Sequence, residues 1–227
     1  MFINIEKTKS LLITGKRLRQ KLTPDETDLQ IQLNNIDIEQ VTNHKLLGVY
    51  IDQDLTYEIH IDDLCKKLSK RLGLLRHISP YLKQGQRMVF YLAVIKPLMM
   101  YLSSIWSSCT KKILERVLRM QKRAARILLD AERTTRTITL FNALNWVPFY
   151  TESYINRCSI AYKRLGGLTP DYINTILKTN SDIHTKSTRF SKLNFQCPLY
   201  KKSTEGGRTF SVQTVKYSKI IYQFHVI

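Results

Sequence analysis

The chain has 227 residues, of which 43% are hydrophobic and 10% aromatic, and its 36 Lys and Arg against 18 Asp and Glu give a formal net charge of +18. That apolar content can fill the core of one or two domains, which excludes a disordered tail, and the charge far exceeds what a small acidic metabolite needs. The composition therefore predicts a folded protein that binds a large polyanion, either nucleic acid or an anionic lipid surface.

The positive charge is confined to the later part of the chain. Residues 1–61 hold 7 basic and 9 acidic side chains, so the whole basic surplus lies downstream. The four cysteines are far apart, with no Cys-x-x-Cys pair and no Cys/His cluster at metal-ligand spacing, which predicts reduced thiols inside the cell. We expect no export signal, because residues 1–14 alternate like a strand and carry charges.

The first part of the chain is predicted to form a small antiparallel sheet. FINIEKTKSLLIT (2–14) and KLLGVYID (45–52) have the pattern of strands, and LQIQLNNIDIEQV (29–41) alternates around a turn at Asn34 and Asn35. KRLRQKLTPDETD (16–28) is predicted to be a polar loop. The segment Asp52-Gln53-Asp54 is predicted to form the turn that ends the sheet.

From residue 59 onward the periodicity is helical and predicts three helices with short links. The first, over about 59–79, has one apolar face, made of Ile61, Leu64, Leu68, Leu72 and Leu75. The second, over about 84–104, is predicted to kink near Pro97. Because Lys96 and Pro97 interrupt its apolar run, we do not expect it to span a membrane. The third begins near Thr110, with Ser108 or Thr110 as the N-cap.

Two more helices are predicted, over 150–165, ended by Gly166 and Gly167, and from Pro170 through Leu177. After Lys178 the helical pattern fades. The predicted fold class is therefore α+β. A small antiparallel sheet occupies 1–57, a three-helix bundle occupies 58–147, and a C-terminal extension over 148–227 is first helical and then irregular.

The third helix of the bundle separates into two faces of opposite chemistry. Its apolar face is interrupted only by Gln121 and consists of Ile113, Leu114, Val117, Leu118, Ala124, Ala125 and Leu128. Cations recur at steps of four, three, four and three on the other side, at Lys112, Arg116, Arg119, Arg123 and Arg126. A solvated helix face is one interpretation of this stripe. Because only Glu115 accompanies these cations, a polyanionic partner is the other.

Three blocks of the chain resemble the C-terminal half of the reverse transcriptases of non-LTR retrotransposons of the LINE type, in particular the jockey-like group. The blocks are KLLGVYIDQDLTYEIHI (45–61), YLSSIWSSCTKKILERVLRMQKRAARIL (101–128) and LNWVPFYTESYINRCSIAYKRLGGLTPDYI (144–173). They share the Leu-Gly-x-x-Ile-Asp strand, the Trp followed by an Arg-Ala-Ala-Arg helix, and the Leu-x-Trp-x-Pro joint. The tail segments TRF (188–190) and GGRTF (206–210) are also similar.

The resemblance implies an RNA-directed DNA polymerase, in which three palm carboxylates hold two divalent metal ions. In that family these carboxylates precede an Asn-x-x-Lys-Thr strand, which NIEKTK (4–9) resembles. We therefore expect no catalytic and no metal-binding residue in this chain, which alone would be inactive, and Mg²⁺ only in the intact parent enzyme. Residues 1–57 would be the palm edge and 58–147 the thumb, with Leu47 and Gly48 at the grip on the primer end.

Two pairs of aspartates could be mistaken for the missing metal site. Asp62 and Asp63 follow His60-Ile61 as in the family's aromatic-x-Asp-Asp box, but they lead directly into a helix, whose positive N-terminal end explains them. Asp52 and Asp54 could share a metal ion if both faced the same side, although a role in the turn explains them better. The sequence has no Gly-rich phosphate loop, no His-Glu-x-x-His and no Gly-x-Ser-x-Gly.

The thumb assignment implies that RNA, an RNA/DNA duplex or a DNA duplex is the partner, contacted through its phosphates. The expected contacts are the stripe described above and a second patch, Lys66, Lys67, Lys70 and Arg71. An active polymerase and a non-catalytic module that binds nucleic acid, protein or a membrane surface remain alternatives. We expect a location in the nucleus, the cytoplasm or both, and the oligomeric state stays open.

Overall fold

The structure of the chain, a computed structural model, describes residues 4–183, 194–199 and 209–216. The tail segment TRF and the first three residues of GGRTF lie outside the described residues. The structure combines small β-hairpins with a larger helical part, so the predicted α+β class is confirmed.

The N-terminal segment forms a local turn instead of the predicted strand. A 3-10 helix spans Ile5–Lys7, and the Asn4 side chain accepts a hydrogen bond from the backbone N–H of Lys7 at 3.2 Å. The sheet-like pairing seen here is a single bridge between Ser10 and Gln40. The strand prediction was wrong because an asparagine side chain can bind a nearby backbone group and so compete with strand pairing.

The segment predicted to be a polar loop contains two short helices, α1 (Lys16–Arg19) and α2 (Pro24–Thr27). Thr23 and Glu26 form a capping box at the start of α2, in which the Glu26 carboxylate accepts from the Thr23 backbone N–H at 2.8 Å. This hydrogen bond lowers the pKa of Glu26 below its usual value.

Two hairpins replace the single predicted sheet. In the first, β1 (Gln32–Leu33) pairs with β2 (Ile36–Asp37) around Asn34 and Asn35, which have φ angles of 52° and 62°. This confirms the predicted asparagine turn, since asparagine tolerates the left-handed conformation that such a turn requires.

The second hairpin corrects the prediction of one strand over 45–52. Strand β3 (Asn43–Leu46) pairs antiparallel with β4 (Val49–Asp52), and Leu47 and Gly48 form the two-residue turn with φ angles of 47° and 86°. The strand-like pattern continues through KLLGVYID, so the sequence contained no indication of this turn. Gly48 supplies one positive φ without steric cost, whereas Leu47 adopts a conformation that leucine rarely takes.

The aspartate turn after β4 is confirmed. The Asp52 carboxylate accepts hydrogen bonds from the backbone N–H groups of Asp54 at 3.1 Å, Thr56 at 3.0 Å and Tyr57 at 2.7 Å. Asp54 in turn forms an ion pair with Arg19 of α1 at 2.7 Å. Asp52 therefore organises the chain between the hairpin and the first long helix.

Helix α3 (Glu58–Ile78) agrees with the predicted first helix, and its apolar face is buried throughout. The second helix is divided into α4 (Gln84–Phe90), a π-helical turn (Tyr91–Ile95) and α5 (Lys96–Met100). The π turn ends two residues before Pro97, which cannot donate a backbone hydrogen bond, and the predicted kink near this residue stays a prediction.

The predicted end of the second helix, at 104, was wrong. The helix stops at Met100, Leu102 has a φ of 49°, and a separate short helix α6 (Ser103–Trp106) follows. The third helix is α7 (Lys111–Leu129), and its N-cap is Thr110, one of the two predicted residues.

Three further helices complete the main part: α8 (Thr137–Leu144), α9 (Phe149–Leu165) and α10 (Asp171–Ile176). As predicted, α9 ends at the two glycines. Gly167 has a φ of 68°, and the backbone N–H of Leu168 donates to the carbonyl of Lys163 at 2.9 Å. This is a Schellman ending, which requires a left-handed residue at that position.

The main core runs from β4 to the start of α9. It includes Val49 of β4, Trp106 of α6 and Phe149 of α9, with the Trp106 and Phe149 rings 5.9 Å apart. Core side chains thus come from both sides of the boundaries predicted at 57 and 147, and the domain limits stay a prediction.

A buried glutamine fixes the Leu-Asn-Trp-Val-Pro joint to α7. Gln121, which is 2% exposed, donates from Nε2 to the carbonyl of Val147 at 2.9 Å and accepts at Oε1 from the backbone N–H of Phe149 at 2.8 Å. The interruption in the apolar face of α7 is therefore a hydrogen-bonded attachment, which supplies an acceptor to the first residue of α9.

A buried arginine connects α9 to its neighbours. Arg157 is 0% exposed and donates to the carbonyl of Ser104 at 2.8 Å, to Oγ of Ser107 at 2.6 Å and to Oε1 of Gln213 at 3.1 Å. Gln213 belongs to a helix over 210–216. A second, smaller core lies in this region and consists of Ala161, Leu177, Phe195 and Val215.

None of the helices in the described part of the chain combines the length and the apolar character of a membrane span.

His60 is a titratable group buried at the start of α3. It is 6% exposed, its ring lies 5.8 Å from that of Trp106, and neither ring nitrogen has a hydrogen-bond partner among the described residues. Burial lowers the pKa of His60 below its usual value.

We predict that His60 makes the protein less stable as the pH falls below about 6.5, the ordinary pKa of histidine. The folded state keeps His60 neutral, so in that range the unfolded chain binds more protons and is favoured by acid. Urea unfolding at about pH 7 and about pH 5.5 measures the difference, which should shrink in His60→Leu. An equally large difference in that variant would contradict the prediction.

Candidate nucleic-acid interface

Helix α7 turns its cations away from the core. The apolar side predicted from the sequence is buried along its whole length, and Lys112, Arg119 and Arg123 are exposed on the opposite side. Arg116 and Arg126 of the same stripe are half-buried. The amphipathic pattern alone thus placed these side chains correctly with respect to the core.

Arg116 forms an ion pair with Asp62 on α3. This contact was not predicted, because the two residues are more than fifty positions apart and no local spacing relates them. The pair removes part of the positive charge of the stripe. Asp62 thus has a positively charged partner, besides its favourable position near the N-terminal end of α3.

Arg126, like Arg116, is half-buried. Its Nη1 donates to the carbonyl of Lys122 at 3.4 Å, and its Nε is buried without a hydrogen-bond partner among the described residues. The open part of the stripe is therefore Lys112, Arg119 and Arg123.

The second predicted patch, on α3, likewise contains both exposed cations and cations engaged in contacts within the protein. Lys66 and Lys70 are exposed, whereas Lys67 forms an ion pair with Asp63 at 2.6 Å. Lys67 also lowers the pKa of Asp63, chiefly through a side-chain hydrogen bond. Arg71 is half-buried and donates to the carbonyl of Val94 in the π turn at 2.8 Å. Its guanidinium thus supports the irregular helix, and its contact with nucleic acid stays a prediction.

The packing of α3 on α7 brings the two patches together. The helices run in the same direction, because Asp62 contacts Arg116 and, further along, Ser69 Oγ lies 3.6 Å from Met120 Sδ. Lys66 lies one helical turn after Asp62, and Lys70 one turn further, on the same side of α3. Cations of both helices thus border one exposed surface, called the basic face below. It consists of the exposed Lys66, Lys70, Lys112, Arg119 and Arg123 and of the half-buried Arg116, which is paired with Asp62.

The two residues predicted at the primer grip form the tip of the second hairpin. The Leu47 side chain is 78% exposed, and the Tyr101 hydroxyl donates to the Leu47 carbonyl at 2.9 Å. Trp106 in turn donates from Nε1 to the carbonyl of Tyr101 at 2.8 Å. The tip is therefore held by Tyr101, which lies between α5 and α6. The sequence did not reveal this contact.

The aspartate pairs are engaged in structural contacts. Asp62 and Asp63 bind Arg116 and Lys67, Asp52 binds the turn before α3, and Asp54 binds Arg19. Within residues 4–183, 194–199 and 209–216, no group of three or more His, Cys, Asp or Glu could hold a metal ion. These residues do not fit the two-metal site of a polymerase, and no catalytic step is assigned to them.

No disulfide bond joins the cysteines in the described part of the chain. Cys65 is half-buried close to the basic face, and burial raises the pKa of its thiol. Burial also raises the pKa of Cys158 on α9. Both thiols are therefore protonated and weakly nucleophilic at neutral pH.

Two known proteins of Drosophila melanogaster are similar to this chain. "Probable RNA-directed DNA polymerase from transposon BS" is 27% identical over 147 residues, which is 63% of this chain and 16% of that protein. "Probable RNA-directed DNA polymerase from transposon X-element" is 26% identical over 164 residues, 70% of this chain and 17% of that protein. No family model and no solved structure matches the chain.

These similarities confirm the resemblance to the reverse transcriptases of non-LTR retrotransposons. The chain is similar to a part of such RNA-directed DNA polymerases, and it spans 16–17% of the length of the two relatives.

We predict that Tyr101→Phe loosens the tip of the second hairpin without unfolding the helices. The lost hydrogen bond is exposed, so the free energy of unfolding should fall by less than about 1 kcal/mol. Amide hydrogen exchange should become faster over residues 43–52 and stay unchanged in α3 and α7. Tyr162→Phe, at an exposed tyrosine of α9, is the control. Unchanged exchange over 43–52 would show that the hydroxyl does not hold the tip.

Proposed function

We propose that this chain is the thumb region of a non-LTR retrotransposon reverse transcriptase and that its basic face binds the backbone of primer-template nucleic acid. The whole enzyme would copy RNA into DNA, with Mg²⁺ held by palm carboxylates. The proposed partner is RNA, an RNA/DNA duplex or a DNA duplex, and the proposed location is the nucleus, the cytoplasm or both.

The observation that carries the proposal is the convergence of cations from two helices on one exposed surface. Lys66 and Lys70 are exposed on α3, Arg119 and Arg123 are exposed on α7, and the two helices pack together through the contacts at Asp62 and Ser69. Exposed like charges repel one another, and a polyanion removes that repulsion while it releases the counterions of its phosphates. The similarity to two RNA-directed DNA polymerases makes nucleic acid the favoured polyanion.

Recognition by such a face would depend on the backbone and shape of the duplex. Lysine and arginine on a rigid helix pair contact phosphates, which carry no direct sequence information. Binding should therefore be weakly dependent on base sequence and steeply dependent on salt concentration.

We predict that Arg119→Glu combined with Arg123→Glu weakens binding to a primer-template duplex. If each arginine contacts one phosphate, the slope of log K against log salt should fall by about two units. Fluorescence anisotropy over a series of salt concentrations measures both the affinity and the slope.

A matched control is Lys163→Glu combined with Lys178→Glu, which changes the net charge equally at exposed positions outside the basic face. This control should reduce affinity much less, because charges beyond a Debye length of about 8–10 Å are screened. Equal losses in the two double variants would indicate a general charge effect and would reject the basic face as the binding site.

We further predict that Asp62→Asn increases the affinity for the same duplex. The substitution frees Arg116 from its ion pair and removes one negative charge from the face, so the salt slope should rise by up to about one unit. The free energy of unfolding should change by less than about 1 kcal/mol, as for exposed ion pairs in general. Asp63→Asn has the same charge change and serves as the control. A larger gain in Asp63→Asn than in Asp62→Asn would contradict the prediction.

A further inference from the structure

Tyr81 presents its ring to solvent at the end of α3. It closes the 3-10 turn Ser79–Tyr81 that directly follows this helix, and 85% of the residue is exposed. Among the described residues, its hydroxyl has no hydrogen-bond partner and its ring has no aromatic neighbour. The turn therefore presents a large, flat aromatic surface to solvent.

The backbone on both sides of Tyr81 is held by one arginine. Nε of Arg87 donates to the carbonyls of Ser79 and Leu82, each at 3.0 Å. Ser79 Oγ also donates to the carbonyl of Arg76 at 2.9 Å. The turn is therefore fixed at several points, and Tyr81 is displayed from a rigid backbone.

The same arginine places this turn beside the end of the basic helix. Nη1 of Arg87 donates to the carbonyl of Ile127 in the last turn of α7, at 3.3 Å. Ile127 follows Arg126 of the stripe directly. Tyr81 thus stands at the end of the helix pair that carries the basic face.

The surroundings of Tyr81 in the chain are strongly basic. No Asp or Glu occurs between Asp63 and Glu115, a stretch that contains α3 from its second turn, α4 and α5. Arg76, His77 and Lys83 close to the turn are exposed. A ligand at this ring would therefore be anionic, and it would need a flat surface to cover an aromatic face.

We propose that Tyr81 is a stacking platform for an unpaired nucleobase next to the duplex bound on the basic face. This inference rests on the proposed function. It specifies in addition that the bound nucleic acid is a duplex that continues into a single strand. An exposed aromatic ring beside cations is how proteins hold single-stranded bases without reading their sequence.

The experiment compares a blunt duplex with the same duplex carrying a short single-stranded extension, tested with each polarity of extension. Stacking on an aromatic side chain corresponds to a roughly 5- to 100-fold gain in affinity per base. Tyr81→Ala should lose such a factor on the extended duplex of one polarity and change blunt-duplex binding by less than about two-fold. Tyr81→Phe keeps the ring and should retain the affinity of the unchanged protein.

Tyr162→Ala is the matched control, since this tyrosine of α9 is 71% exposed. Loss in Tyr162→Ala as large as in Tyr81→Ala, equal loss on blunt and extended duplexes, or no loss at all would each overturn the stacking proposal. The Arg119→Glu and Arg123→Glu double variant separates the two proposals. If the double variant lowers the affinity for both duplexes while Tyr81→Ala lowers neither, the proposal for the basic face is retained and the stacking site is rejected.

Discussion

The packing of α3 against α7 is the interaction on which the rest of the structure depends. Both helices bury an apolar face in the main core, which on α7 is interrupted only by Gln121, and Trp106 and Phe149 extend that core to the joint before α9. Burial of so much apolar surface is the dominant favourable contribution to folding. Because the two helices are parallel and in contact, the side chains that remain outside are also brought together. The basic face is therefore a consequence of how the core is filled.

The packing of α3 against α7 also brings an unfavourable electrostatic contribution. Like charges on adjacent helices repel each other, and the chain compensates part of this repulsion with Asp62 against Arg116 and Asp63 against Lys67. Such exposed pairs contribute little to stability, so they leave the surface strongly positive. A protein that retains this repulsion is well suited to an anionic partner, which agrees with its similarity to RNA-directed DNA polymerases. Tyr101 holds the hairpin tip, and Arg87 holds the turn that carries Tyr81 against the end of α7.

The long helices could be predicted from the sequence, but several connections could not. Periodicity gave α3 and α7 almost to the residue, since a helix of four or more turns repeats its apolar spacing many times. It failed at Leu47 and Gly48, where strand alternation continues through a turn, and at Asn4, where one side-chain hydrogen bond replaces a strand. It also failed at Leu102, because a leucine with positive φ leaves no local signature. Short elements carry too few residues for a periodic signal to outweigh local contacts.

The sequence by itself determined the charge, the amphipathic faces, the aspartate and asparagine turns, and the resemblance to non-LTR reverse transcriptases. These properties depend on residue type and on spacing within one element. Only the tertiary structure decided that Asp62 of α3 pairs with Arg116 of α7, that Arg71 supports the π turn, and that Gln121 and Arg87 hold distant backbone carbonyls. Each of these contacts joins residues far apart in the chain, and their meeting is fixed by the packing of the core rather than by any local pattern.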